Sequence, residues 1–303
     1  MAPTVKTREM QNHHFDSTIW NDFQFRDDDI VIASYAKAGT TWTQQIIGQL
    51  IFGGDPNLPV GEMSPWLDLR VPPKEVKLTA VEAQTHRRFI KTHLPVDALV
   101  FSPQAKYVYV ARDARDVMWS MYNHHANANA KFYDLINDTP GRVGPALDPP
   151  NADIHQYWRD WFERDGFPFW SLWEHMRSWW AIRDLPNVKF VHYNRLKQDM
   201  PGEMRRIAAF LEIPIDESRW PVIVEYCSFD WMKQHAEKSA PLGGIAWEGG
   251  ARTFINKGVN GRWKDVLTAQ ECADYEARAI HELGPACARW MNTGEGLELD
   301  SSF

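Results

Sequence analysis

A short segment, SYAKAGTTWTQQI from Ser34 to Ile46, limits the folds open to this chain more than any other. A β-branched run, Ile30 to Ile32, precedes it, and Trp42, Ile46, Ile47, Leu50 and Ile51 then recur on one helical face until Gly53 and Gly54 end the helix. Strand, glycine turn and helix in succession is the shape of a phosphate-binding loop, in which unpaired backbone N–H groups at a helix N-terminus hold an anion. The triphosphatase pattern GxxxxGK[ST] is nevertheless not met. Aligning its Gly-Lys-Thr puts Thr40 where the lysine belongs and Ser34 where the first glycine belongs, while the lysine that is present, Lys37, precedes the glycine. Read alone, the segment fits equally a plain strand–turn–helix with a threonine cap and a solvated lysine.

The same alternation recurs along the chain. RRFIKTHLP predicts a strand and a polar loop closed by Pro95; AKYVYVARDARDVMWS predicts a strand from Tyr107 to Ala111 and a helix from Asp113; NVKFVHYNRLKQDMPGEMRRIAAFLEI predicts strand, loop and helix again. Units of this kind build a parallel sheet covered by helices, an α/β fold whose ligands sit at the carboxyl ends of the strands. The four post-strand loops carry Lys37, His93, Arg112 and Tyr193, so these share one rim. From roughly Ala126 to Asn151 the chain reads as loop, a lid-like insertion around Asp134 to Pro150. The tryptophan-dense stretch after it places Trp173, Met176 and Trp180 at helical spacing, which is core patterning, and His175 is read as structural. With no repeat and no linker, residues 1–303 are expected to form one domain, with a core over about 23–265 and a C-terminal helix over about 268–292.

The net charge of −7 argues against a general nucleic-acid or anionic-membrane binder, so an anionic ligand must be met by a local cluster of cations. Cys227, Cys272 and Cys287 are scattered and form neither a disulfide framework nor a zinc motif, and His124 and His125 lack a third ligand at metal spacing. No metal site is expected. The first residues have no signal-peptide core and no run is long enough to span a membrane, so a cytoplasmic, reducing location is expected.

Two further loops bear on the chemistry. In IKTHLP, Lys91 and His93 lie two apart, on one side of an extended chain, and a cation beside a histidine favours the neutral imidazole that a general base needs. In ARDARDVMWS, Arg112 closes a strand and Ser120 falls about two turns into the helix; by itself Arg112 could simply pair with Asp113 or Asp116.

Taken together, YAKAGTTW, KTHLP, YVARDARDVMWS, HYNRLK, CSFDWMK and FINKGVNGRWK resemble, in order and spacing, the cytosolic-type sulfotransferases that use 3′-phosphoadenosine 5′-phosphosulfate (PAPS), over about Phe23 to Asp265. The resemblance implies a P-loop-like α/β fold in which Lys37, Ala38, Gly39, Thr40, Thr41 and Trp42 grip the 5′-phosphosulfate. It implies that Arg112 and Ser120 hold the 3′-phosphate, that Tyr193 contacts adenine, and that Ser228, Phe229, Lys257 and Gly258 complete the donor site. It places the catalytic histidine at His93 with Lys91 beside it. The product would be 3′-phosphoadenosine 5′-phosphate (PAP), and the acceptor a hydroxyl of a small phenol or alcohol. The odd loop then makes sense: a sulfuryl group carries less charge than a γ-phosphoryl group, so magnesium is dispensable, and Lys37 meets charge as it develops on the leaving oxygen.

The chain departs from that pattern in places. Ala36 and Ala38 stand where proline and serine are usual, Cys227 where threonine is common, and Asn256 where many members carry an arginine for the 3′-phosphate. Arg252 and Arg262 are the nearby cations available to compensate. The animal-type dimer motif is half present: Lys264 and Thr268 fit, Ala269 and Ala273 do not. Two rival readings remain at this stage, a magnesium-dependent P-loop kinase and a non-catalytic nucleotide binder with a degenerate loop.

Overall fold

Strand β1 (Ile30–Ser34) is buried along its whole length, as a run with no polar alternation must be when both faces of a sheet are covered. It pairs in parallel with β2 (Phe89–Thr92) on one side and β3 (Lys106–Ala111) on the other, and β4 (Val188–His192) joins β3, giving the order β2-β1-β3-β4. The structure, a computed structural model, describes residues 5–297. The pleat sorts the strand residues between two cores. Ile30, Ile32, Phe89, Val108 and Val110 pack with Ile46, Ile47 and Leu50 of helix α1 (Thr40–Ile51). Val31, Ala33, Ile90, Tyr107 and Tyr109 face the other way, onto Trp158, Trp161, Trp173 and Trp179.

Caps delimit the covering helices. Asp113 accepts a hydrogen bond from the Arg115 amide to open α2 (Ala114–Ala126). Asn129, Asp153 and Ser171 do the same for α3 (Ala130–Asp138), α4 (Ile154–Glu163) and α5 (Leu172–Trp180). Trp173 and Met176 are core residues, as their spacing indicates, and Trp180 is partly buried. His175 is fully enclosed, with Nδ1 3.3 Å from the Tyr109 hydroxyl.

Three local expectations are corrected. The stretch 126–151 is not loop throughout, because α3 occupies its first half. Phe132 and Ile136, one turn apart, bury against Val71, Leu147 and Trp247 in a third cluster, and that pair is easily lost among the Asn, Asp, Thr, Pro and Gly around it. The lid-like part is also tethered: the Arg70 guanidinium donates to the carbonyls of Thr139 at 2.6 Å and Pro140 at 3.0 Å, and to that of Ile136. Secondly, no loop follows β4. A helical turn begins at Tyr193, capped by His192, before Asp199 caps the helix Met200–Phe210. Thirdly, the C-terminal helix runs Ala269–Thr293 behind a Thr268–Glu271 capping box, and it is broken at Gly284 (φ 75°, ψ 158°). Pro285 follows, and a residue before proline is steered out of helical geometry.

His192 ties β4 to this last helix: Nε2 donates to the Met291 carbonyl at 2.9 Å, and Nδ1 accepts from the Asn194 amide at 3.1 Å. An imidazole used in this way is neutral, and burial pushes its pKa down to about 4. The unfolded chain binds a proton at about pH 6.5 that the folded chain refuses until about pH 4, so this contribution to stability is lost as pH falls through that window. Between pH 7 and 4.5 the wild type is expected to lose roughly 2 kcal/mol more stability than a His192→Asn variant, read from urea-unfolding midpoints. Equal losses would remove His192 as the cause.

Candidate functional site

The rim at the carboxyl ends of the strands is where the charged side chains gather. After β1 the chain makes a tight turn, with Lys37 at φ 67° and Gly39 at φ 116°. Gly39 is the N-cap of α1 and offers no side chain to its first turn, which holds no acidic residue either. Its amide groups and the helix dipole therefore face outward for an anion. A Cβ on Gly39 would lie 2.8 Å from the Tyr193 ring, so glycine is needed for space as well as for φ. Thr40 Oγ1 meets Ser34 Oγ at 2.6 Å. Ala38 is buried, with its N–H turned back to the Tyr35 carbonyl at 3.3 Å, and Thr41 is partly exposed. Trp42 donates Nε1–H to the Cys227 carbonyl at 2.8 Å and sets its ring edge-on to Tyr193 at 5.4 Å.

His93 lies just beyond β2 and is 4 % exposed. Its Nδ1 sits 2.7 Å from the Ser34 carbonyl oxygen, which can only accept, so Nδ1 carries the proton and Nε2 is left as a bare lone pair. Burial, with the nearby Lys91 ammonium, holds the pKa well below the usual histidine value, and the imidazole is neutral. Trp66 stands edge-on at 4.6 Å, and the Lys91 ammonium lies 5.1 Å above the same indole. Asp68 anchors this corner: its carboxylate accepts from Trp20 Nε1 (3.1 Å), Trp66 Nε1 (2.6 Å) and the His93 amide (3.2 Å). Burial pushes Lys91 down to about 8, with Asp68 opposing the fall.

Lys37 reaches across the rim to α2, where Nζ is 3.1 Å from His124 Nδ1 and 4.6 Å from the Phe254 ring centre. Burial, then Lys91 and Arg112, push it down to about 7. The close polar partner of Lys37 is thus His124, and its effect on His93 is a longer-range one through charge.

The second half of the site lies beyond β3. Arg112 stacks 4.4 Å from the Tyr193 ring centre and donates to Asn260 Oδ1 (2.9 Å) and the Val259 carbonyl (3.0 Å). The 257–260 turn is thereby drawn over α2, and a pocket forms that includes Arg112, Ser120, Lys257 and Gly258. Asp116, within 3.9 Å of Arg112, also lines it, so the bland pairing foreseen for Arg112 is present but loose. Ser228 caps the next short helix by accepting from the Trp231 amide at 3.2 Å, and Phe229 fills the space a Cβ on Gly258 would need, at 2.5 Å. Among the sequence-derived candidates, Lys37, Lys91 and His93 gather on one side of the rim, and Arg112, Ser120, Lys257 and Gly258 line the pocket on the other, with Tyr193 touching both Gly39 and Arg112 between them.

Four participants carried no readable signal: Ser34 through its carbonyl, Asp68, Trp66, and His124 as partner of Lys37. Ser34 and Asp68 act on His93 across gaps of 59 and 25 residues, which no spacing rule reports. Among the described residues no group of three His, Cys, Asp or Glu is arranged to hold a metal ion, and no helix is long and apolar enough to cross a membrane.

Residues 27–282 match the family described as Sulfotransferase domain. A glycolipid sulfotransferase of Mycobacterium tuberculosis is 32% identical over 303 residues, covering 92% of each chain. A retinol dehydratase solved with androsterone and the inactive cofactor PAP superposes with a TM-score of 0.67 at 25% identity, covering 88% of this chain and 84% of that one. A mouse sulfotransferase complexed with PAP superposes with a TM-score of 0.70 over 91% of this chain and 94% of that one, at 22% identity, a likeness of fold.

The role of Tyr193 in shaping the turn can be tested with glycine replacements. Gly39→Ala meets both positive φ and the Tyr193 ring, whereas Gly53→Ala (φ 61°) meets nothing within 4 Å. Urea unfolding should show roughly 1 kcal/mol lost for Gly53→Ala and at least twice that for Gly39→Ala. Equal losses would exclude Tyr193 as the packing constraint.

Proposed function

This chain belongs to the sulfotransferase family, and from that premise we propose that it moves a sulfuryl group from PAPS to the hydroxyl of a small acceptor, a phenol or an alcohol, without a metal ion and in the cytoplasm. The observation that carries the reading is the His93 imidazole, kept neutral by burial and the Lys91 charge and fixed by its bond to Ser34 in the tautomer that leaves Nε2 free, on the same rim as two cations whose pKa values burial has lowered. A carbonyl that orients a base and buried cations that stabilise charge are the parts acyl-free group transfer needs.

The cradle fits the donor. Gly39 and Gly258 let the Tyr193 and Phe229 rings pack directly against the backbone, so an aromatic ring lies on the turn at each end of the site. When bound, PAPS supplies the sulfuryl group and the phosphate oxygen that leaves with PAP. The N-terminus of α1, with Thr40 and Thr41, would hold the 5′ end; Tyr193 and Trp42 would border the base, with Phe229 and Ser228 beyond; Arg112, Ser120, Lys257 and Gly258 would hold the 3′-phosphate. His93 Nε2 takes the proton of the acceptor hydroxyl as its oxygen bonds to sulfur. Lys37 gives a hydrogen bond to the oxygen that departs, and Lys91 offsets charge on the oxygens of the group in transit. Around His93, Trp66 and Trp170 supply apolar walls suited to an acceptor's carbon skeleton, and the glycolipid-acting relative supports including alcohols alongside phenols.

A panel of phenols, alcohols and glycolipids incubated with labelled PAPS, with EDTA present, tests the assignment; absence of any labelled product would overturn it. His93→Ala should lower turnover on the order of 100-fold or more, and near-normal turnover would remove His93 as the base. The pH profile has a definite sign. His93 stays neutral down to pH values well below 6.5, so it imposes no acid limb above that. Lys37 and Lys91 work as cations and lose their protons in the donor-free enzyme as pH rises through about 7 and about 8. Therefore kcat/KM should fall above that window, while the fall in kcat lies at higher pH because the bound anion favours charged lysines. A kcat/KM that stays level to pH 9 would contradict this role.

A further inference from the structure

The pocket beside Arg112 contains a charge pattern that the family resemblance does not supply. Asn256 occupies a position where an arginine was expected for the 3′-phosphate, yet the pocket is not short of cations. Arg112, Lys257 and Arg262 line it, against the single carboxylate of Asp116. Two positive charges are left unmatched, the charge of a phosphate monoester dianion at neutral pH.

Arg262 is placed rather than loose. Its guanidinium lies 3.3 Å from the centre of the Trp119 ring, and Nη1 donates to Asn256 Oδ1 at 2.9 Å. A guanidinium only donates, so the Asn256 amide must turn its oxygen to Arg262 and keep its N–H groups for another acceptor. Asp116 sets the position by accepting from the Gly261 amide at 2.8 and 3.1 Å, and Lys233 holds the Asn256 carbonyl at 2.7 Å. Arg252, the other nearby arginine, is exposed and does not line the pocket.

We infer that Arg262, held against Asn256, reads the 3′-phosphate of the donor, so that an Asn–Arg pair six residues apart does the work of one arginine at position 256. The inference rests on the PAPS reading above. It makes Arg262 a specificity residue that separates 3′-phosphorylated nucleotides from adenosine 5′-phosphate.

Calorimetric titration of the purified protein with PAP and with adenosine 5′-phosphate tests it. Arg262→Gln should weaken PAP on the order of 10- to 100-fold, the equivalent of one lost charge-assisted bond, and leave adenosine 5′-phosphate unchanged. Adding Asn256→Arg to that variant should restore most of the PAP affinity, which a merely structural role for Arg262 would not do. Unchanged PAP binding in Arg262→Gln, or an equal loss for both nucleotides, would overturn the inference. Arg112→Gln separates the two levels: if it abolishes PAP discrimination while Arg262→Gln does not, only the role of Arg262 falls; if neither matters, the assignment of the pocket falls as well.

Discussion

Parallel pairing in register on both sides of β1 is the constraint from which the site follows. Ala33 pairs with Thr92, Ser34 with Val110, and Ala111 with His192. Four strands thus end at one level, and each chain leaves the sheet carrying a polar residue within three positions of its end: Lys37, His93, Arg112 and Tyr193. A shift of one residue in any pairing would swap apolar faces and also turn its functional side chain off the rim. The same residues that fill the two cores therefore set the geometry of the chemistry.

Electrostatics at this rim work through dryness. Lys37, Lys91 and the imidazoles of His14, His93, His124 and His125 lie close together in a mostly apolar setting of Trp66, Phe132, Phe169, Trp170, Trp247 and Phe254. Burial, joined by repulsion from neighbouring cations, holds the four histidines and Lys37 below their ordinary pKa, and burial alone, against Asp68, lowers Lys91. Crowding cations in a dry setting is costly, and a polyanion placed among them offsets that cost. That is how a chain of negative net charge can bind a highly negative nucleotide: the attraction is local and short-ranged.

The two halves of the site are made differently. Around His93 the groups sit on strand ends and are fixed by core packing and by the Asp68 carboxylate. Around Arg112 they sit on turns, and side-chain bonds draw those turns together: Asp116 to the Gly261 amide, Arg112 to Asn260, Arg262 to Asn256. Substitution is easier to accommodate in the second half, where Asn256 stands in place of an arginine; the departures in the first half, Ala36 and Ala38, are small side chains on a turn whose backbone is what matters.

Periodicity and turn chemistry sufficed for the α/β architecture, because a five-residue apolar strand and a helix with one oily face each state their own environment. The order of Lys37, His93, Arg112 and the late Lys-Gly turn was likewise legible, since each motif is local. Helix α3 was not, because two apolar residues one turn apart carry little signal until Val71 and Trp247 arrive to cover them. Nor were the proton on Nδ1 of His93, the resting contact of Lys37 with His124, or the choice of Arg262 over Arg252. Each of those depends on an atom supplied from a distant part of the chain. Linear sequence specifies which groups are present and in what order; only the closed tertiary structure decides which acceptor, ring or carboxylate each one meets, because hydrogen bonds and charges act over a few ångströms of space.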